Sequence, residues 1–313
     1  MDPIDARMRD YSGDVPGASV LVVRDGRVLE RKSYGMANLE EHVAATPETN
    51  YRLASVTKQF TAAAVLLTGI PLDDPITKYL PEMPAYANAI TVRHLLTHTS
   101  GLLAYEDLMP PNTTAQLHDI DVLNLLSKTD HTYFPPGTSY RYSNTGYAFL
   151  ALIVQRVSGM RFADFLREKI FKPAGMNNTV AFEEGISTVP HRAYGYSREG
   201  ATWKRTDQSL TSAVLGDGGI YTSIDDMVHW IAWLESGRFD EQLVPRTKTD
   251  VPNVLYGYGW RITGDHVWHT GETIGFQNAI VRYPKRHLTV VVLTNRNEGE
   301  PYDIALKIAE QYR

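Results

Sequence analysis

Cysteine is absent from this 313-residue chain, which excludes disulfides, thiolate zinc sites and cysteine nucleophiles and leaves the redox compartment open. Long apolar runs are missing too. The longest, Ala62 to Leu67 and Val290 to Leu293, fall far below the roughly 20 residues that span a bilayer. Lys plus Arg number 31 against 36 Asp plus Glu, a formal charge of -5 with no long run of either sign, so the basic face of a nucleic-acid binder is not there. The chain also lacks a G-x-S-x-G elbow, a Walker A loop and G-x-G-x-x-G, which disfavours the α/β-hydrolase, NTPase and dinucleotide-binding readings. Its opening, Met1-Asp2-Pro3-Ile4-Asp5, has neither the basic nor the apolar region of a secretory signal. It reads as cytoplasmic, or as periplasmic or secreted after removal of a signal.

The chain does have the composition of a globular protein, 43% hydrophobic and 21% charged, and a length that predicts one large domain or two lobes. Ala18 to Arg24 and Arg27 to Arg31 flank Asp25-Gly26, a dipeptide suited to a hairpin turn. Tyr256 to Ile262, His266 to His269, Asn278 to Tyr283 and Leu288 to Thr294 read as strands, and about Tyr302 to Tyr312 as a closing helix. Between the ends, Val122 to Leu126, Tyr147 to Val157 and Phe162 to Phe171 show helical periodicity. Strands bracketing helices predict an α/β (α+β) two-lobed fold. An antiparallel sheet flanked by helices would come from 1–55 and 211–313, a mostly helical lobe from 56–210, and the active site would lie in the cleft between them.

Three short motifs carry chemistry. In Ala54-Ser55-Val56-Thr57-Lys58 a serine stands at the expected start of a helix with a lysine three residues on, so the amine sits beside the hydroxyl. Helix-start N–H groups add potential oxyanion donors. The plainer reading is an N-cap serine with a solvated lysine. Tyr142-Ser143-Asn144 follows the turn Pro135-Pro136-Gly137 and precedes a helix, and its plainer reading is a cap with a packed aromatic. His269-Thr270-Gly271-Glu272 ends a strand, where a small glycine lets an extended substrate lie along the edge; alone it could be a simple turn. His94 and His98 have the spacing of a helical metal pair, but Leu95 follows His94 where a zinc peptidase helix has glutamate, so capping or packing is favoured and no metal or cofactor is expected.

Taken in order, the three motifs resemble the serine β-lactamase and penicillin-binding-protein superfamily. The combination resembles its class C β-lactamase and D-alanyl-D-alanine carboxypeptidase branch, where tyrosine replaces the serine of the second motif and the third can begin with histidine. The resemblance runs from about Val15 to the last helix and includes Arg93 to Leu102 and Gly216-Asp217-Gly218-Gly219. Two features depart from it. Thr68-Gly69-Ile70-Pro71 closes a stretch that is longer in relatives, and His269 stands where class C β-lactamases have lysine, which weakens attraction for a substrate carboxylate.

The resemblance implies a serine hydrolase that forms an acyl-enzyme on Ser55, with Lys58 and Tyr142 as a coupled proton-transfer pair. Asn144, His269, Thr270 and Gly271 would bind substrate, and the backbone N–H groups of Ser55 and Glu272 would hold the oxyanion. Small-molecule or peptide substrates are expected: D-alanyl peptides, β-lactams or small esters, with His269 favouring peptidase or esterase over efficient β-lactamase. The alternative is a non-hydrolytic penicillin-binding sensor or regulatory protein of the same fold. Oligomeric state is not legible at this level.

Overall fold

A computed structural model of the chain describes residues 2–312. The hairpin forms where Asp25-Gly26 supplies two positive φ angles, 50° and 72°, joining strand β1 (Ala18–Arg24) to β2 (Arg27–Tyr34). The C-terminal part adds β3 (Thr247–Lys248), β4 (Leu255–Tyr256), β5 (Arg261–Thr263), β6 (His266–Thr273), β7 (Phe276–Tyr283) and β8 (Leu288–Thr294). All eight pair antiparallel in the order β3-β4-β5-β6-β7-β8-β1-β2, so both ends of the chain build one sheet.

The expected single strand over Tyr256 to Ile262 is two short strands with a bend between them. A Cβ on Gly257 would lie 2.0 Å from the Gln242 carbonyl oxygen, and one on Gly259, held at φ 76°, would lie 2.7 Å from the Lys58 carbonyl oxygen. These glycines serve close backbone approach to the segment that carries Lys58, which a straight strand could not make.

Central strands are apolar at successive positions because both sheet faces are covered. Val20, Val22, Val290 and Val292 pack under the closing helix and the N-terminal Ile4, Met8 and Tyr11. Leu21, Val291 and Leu293 point the other way, into the larger core. That core holds helix α1 (Lys58–Thr68), which is buried continuously from Lys58 to Val65. Phe60 stacks on Trp230 of α3 (Ile224–Glu235) with ring centroids 4.2 Å apart. Helix α1 ends where Gly69 takes φ 70°.

Helix α2 (Asn144–Ser158) begins three residues before the expected Tyr147 because the Ser143 hydroxyl accepts from the Gly146 N–H at 3.1 Å. The expected helix over Phe162 to Phe171 changes from α to π winding at Arg167. The closing helix α4 (Pro301–Ala309) tightens into a 3-10 turn over Glu310–Tyr312. Short strands also occur between the chain ends: Ile220–Thr222 pairs with both Tyr51–Arg52 and Val180–Ala181.

Candidate active site

Ser55 lies in a 3-10 turn, Ala54–Thr57, that runs directly into α1. Residues i and i+3 eclipse in that geometry, which stacks the lysine over the serine. Ala54, just before Ser55, is held at φ 49°; this left-handed conformation costs a non-glycine residue roughly 1–2 kcal/mol and must be held by its surroundings.

Lys58 is fully buried, and its Nζ donates to three acceptors: Ser55 Oγ at 3.0 Å, Asn144 Oδ1 at 2.9 Å and the Asp217 carbonyl oxygen at 2.9 Å. An ammonium has three donors, and here each has a partner. The Asn144 amide is oriented from its other end, where Nδ2 donates to Glu106 Oε1 at 2.7 Å. The carbonyl of Asp217 is held by the turn Leu215–Gly218, whose Leu215 and Gly216 N–H groups donate to the Asp119 carboxyl at 3.0 and 3.1 Å. Burial pushes Asp119 up to about 7. Burial likewise raises Asp217 to about 6, against the opposing pull of Lys58, and Tyr105 donates its hydroxyl to the Asp217 carboxyl at 3.0 Å.

Strand β6 forms the opposite wall. Its whole length from Val267 to Thr273 pairs with β7, but on the other side only His266 to Trp268 pair with β5, which leaves the edge from Thr270 onward open. Gly271 is needed for the approach to the serine turn: a Cβ there would lie 2.0 Å from the Leu53 carbonyl oxygen. Ser55, Glu106, Asn144, Asp217, Glu272 and Thr273 line a polar cleft of about 100 Å³. The two expected oxyanion donors, on Ser55 and Glu272, thus belong to residues of one cleft.

His269 is buried rather than presented to the cleft. Its Nδ1 lies 2.6 Å from the Thr270 carbonyl oxygen, which can only accept, so the ring proton sits on Nδ1 and Nε2 accepts from the Tyr256 hydroxyl at 3.1 Å. Burial first, then the charge of Lys58, lowers its pKa to about 3. As pH falls below about 6.5, the unfolded chain takes up a proton at this residue that the folded chain refuses. Its contribution to stability is therefore whole above that pH and declines toward pH 3. In His269→Gln the fall in Tm between about pH 7 and pH 4 should be smaller than in the wild type by calorimetry; an equal fall would contradict this.

Tyr142 reaches the same place from the loop before α2. Its ring centroid is 4.9 Å from Lys58 Nζ and 6.2 Å from the His269 ring, while its buried hydroxyl has no hydrogen-bond partner among the described residues. Ser55, Lys58 and Asn144 are joined by hydrogen bonds; Tyr142 joins them by proximity only. Sequence reasoning missed Glu106, the Asp217 carbonyl and Arg261. The Arg261 guanidinium lies over the rings of Tyr142 and Trp268, 5.7 and 5.4 Å away, and makes no ion pair among the described residues. Gly216-Asp217-Gly218-Gly219 is among the segments that carry the family resemblance, which is the one sequence signal pointing toward Asp217; no sequence signal marks Glu106 or Arg261. Of the histidine pair, His94 accepts from the Thr91 N–H at 3.2 Å as a cap, and His98 lies beyond the helix end at Leu96.

The model of the Beta-lactamase family matches residues 4–312. Penicillin-binding protein 4* of Bacillus subtilis (strain 168) is 30% identical over 322 residues, covering 93% of this chain and 71% of the relative. Protein flp of Staphylococcus aureus (strain MRSA252) is 29% identical over 306 residues, and this chain spans only 60% of its length. Among solved structures, a penicillin-binding protein from Bacillus halodurans superimposes with TM-score 0.86 at 28% identity, covering 99% of both chains. An octameric penicillin-binding protein homologue from Pyrococcus abyssi gives 0.85 at 26%, covering 99% of this chain and 75% of that one. D-amino acid amidase from Ochrobactrum anthropi SV3, at 24% identity and TM-score 0.82, shares the fold. With its model matched from one end to the other, the chain belongs to the Beta-lactamase family, and its fold is that of the penicillin-binding proteins and serine β-lactamases.

Proposed function

We propose that this protein is a serine hydrolase that acts through an acyl-enzyme on Ser55. The observation that carries the reading is the buried Lys58 amine, fixed by Asn144 and the Asp217 carbonyl with its third hydrogen bond on the hydroxyl of a cleft-lining serine. A serine hydroxyl attacks a carbonyl only if a neighbour takes its proton. Ser55 Oγ bonds to the substrate carbonyl carbon as its proton passes to the Lys58–Tyr142 pair, which reacts in the state that has already given up one proton, as free amine or phenolate. The oxyanion is held by the N–H groups of Ser55 and Glu272, donors worth about 3 kcal/mol each. The bond to the leaving amine or alkoxide then breaks, and Tyr142 returns the proton to it. Water attacks the acyl group and frees Ser55 with a carboxylic acid as product. Catalytic hydrogen bonds of this kind commonly tighten only around substrate, and the Tyr142 hydroxyl, partnerless beside Lys58, has that role to fill.

The second amide hydrogen of Asn144 Nδ2 serves the substrate's carbonyl, and the open β6 edge at Thr270 and Gly271 takes its extended backbone. Neutral, buried His269 sets the polarity beneath that edge. Arg261, which makes no ion pair among the described residues and stands at the end of the strand beside it, supplies the positive charge that His269 does not, which suits a substrate bearing a carboxylate. Substrates of this description are D-alanyl peptides first, then small esters, with β-lactams turned over slowly.

A serine-reactive fluorophosphonate should label the wild-type protein, and peptide mapping should place the adduct on Ser55. No adduct, or an adduct elsewhere, would overturn the reading. Nitrocefin, a short-chain p-nitrophenyl ester and a D-Ala-D-Ala peptide assayed side by side separate the substrate classes. Tyr142→Phe should lower turnover about 10²-fold or more if the phenol relays protons, and a rate near the wild type would remove it from the mechanism.

A further inference from the structure

The segment His98-Thr99-Ser100-Gly101 has no part in the mechanism above, yet it touches the loop that carries Tyr142 along its whole length. The Tyr133 N–H donates to the Gly101 carbonyl at 2.8 Å and the Gly137 N–H to the Thr99 carbonyl at 2.8 Å. At His98 the contact becomes closer. The Arg141 N–H donates to the His98 carbonyl at 2.9 Å, and the Ser143 N–H donates to His98 Nδ1 at 3.1 Å. One residue thus holds the backbone on both sides of Tyr142. Its ring also covers the Tyr142 ring, with centroids 4.4 Å apart and planes tilted by 34°. The imidazole also lies near the rings of Tyr147, with centroids 5.1 Å apart and planes tilted by 36°, and Tyr256, in an edge contact at 4.6 Å, and Tyr256 donates to His269 at the start of the β6 motif.

We propose that His98 is the positioning residue for Tyr142: it sets the phenol beside Lys58 by holding the amides of Arg141 and Ser143 and by packing face to ring. This rests on the acyl-serine reading, in which Tyr142 relays the proton. His98 can hold both neighbours because its φ is 58°, a left-handed turn that aims carbonyl and side chain at the same stretch of loop. The Ser143 N–H requires an acceptor, so Nδ1 must be unprotonated. Full burial and the nearby charges of Lys58 and Arg261 hold the imidazole well below its ordinary value and keep it neutral. Among other residues, asparagine tolerates the same backbone conformation and offers an acceptor near the position of Nδ1.

A double-mutant cycle on the fluorophosphonate labelling rate tests the assignment. His98→Gly removes the ring without backbone strain and should slow labelling about 30-fold, while in the Tyr142→Phe background it should change the rate by no more than about threefold. His98→Asn should recover labelling to within about fivefold of the wild type. Equal losses in both backgrounds, or no recovery by asparagine, would make His98 a structural residue only and overturn the proposal. Should His98→Gly not fold, His98→Gln keeps the bulk but moves the acceptor away from Ser143, and the same cycle applies. Both variants remove the imidazole ring from over Tyr142, so the ¹⁹F resonance of fluorotyrosine at position 142, assigned by its absence in Tyr142→Phe, should move farther or broaden more in His98→Gly than in His98→Asn, which keeps an acceptor for the Ser143 N–H; the same resonance in both variants would also overturn it. That readout needs no reaction at Ser55. If the wild type does not react with the phosphonate, the hydrolase reading fails while the resonance still decides what His98 does.

Discussion

Ser55→Ala is expected to lower turnover of every substrate by about 10⁴-fold or more and to abolish phosphonate labelling, with the fold intact. The side chain is only partly buried, its hydroxyl accepts one hydrogen bond from Lys58, and its loss leaves an amine that can re-pair with substrate or water. Stability should therefore move by less than about 1 kcal/mol. Labelling and turnover of the purified variant, beside its urea melt, check the claim. A variant that labels as fast as the wild type would take Ser55 out of the nucleophile's role.

Lys58→Met should be nearly as damaging to activity, at about 10³-fold, but different in its effect on the fold. Methionine fits the length of the lysine stem, yet it leaves Asn144 Oδ1 and the Asp217 carbonyl oxygen without their donor. Each orphaned acceptor costs roughly 1–3 kcal/mol, offset in part because an apolar side chain is easily buried where the ammonium was not. The expected result is a catalytically dead protein whose melting point falls moderately. Asn144 should also lose its fixed orientation, since only Glu106 would still hold its amide. Labelling within about tenfold of the wild-type rate would show that the amine is not part of the serine's activation.

The contrast between these two residues reflects how they are built into the molecule. Ser55 is offered to the cleft by a strained turn, whereas Lys58 is part of the core and is held by two segments remote in sequence, at Asn144 and Asp217. Its motif was legible because residues at i and i+3 of one turn must be neighbours whatever the rest of the chain does. The hairpin at Asp25-Gly26 was legible for the same kind of reason, since few dipeptides accept two positive φ angles. The continuous strand read over Tyr256 to Ile262 failed because β-forming side chains dominate the pattern there. The two glycines that break it answer to Gln242 and Lys58, which are remote in sequence.

Local chemistry along the chain thus determined the serine–lysine pair, the tyrosine motif before a capped helix, the glycine-bearing strand end and the sheet drawn from both termini. Only the tertiary structure decided which groups meet them. Asp217 offers a carbonyl to Lys58 through a turn secured by Asp119, Glu106 orients Asn144, His98 holds the backbone around Tyr142, and His269 faces inward to Tyr256. The physical reason is range. Turn geometry and capping act over three or four residues and leave their mark in spacing, while hydrogen bonds between residues 13 to 159 positions apart depend on how whole layers pack and leave none.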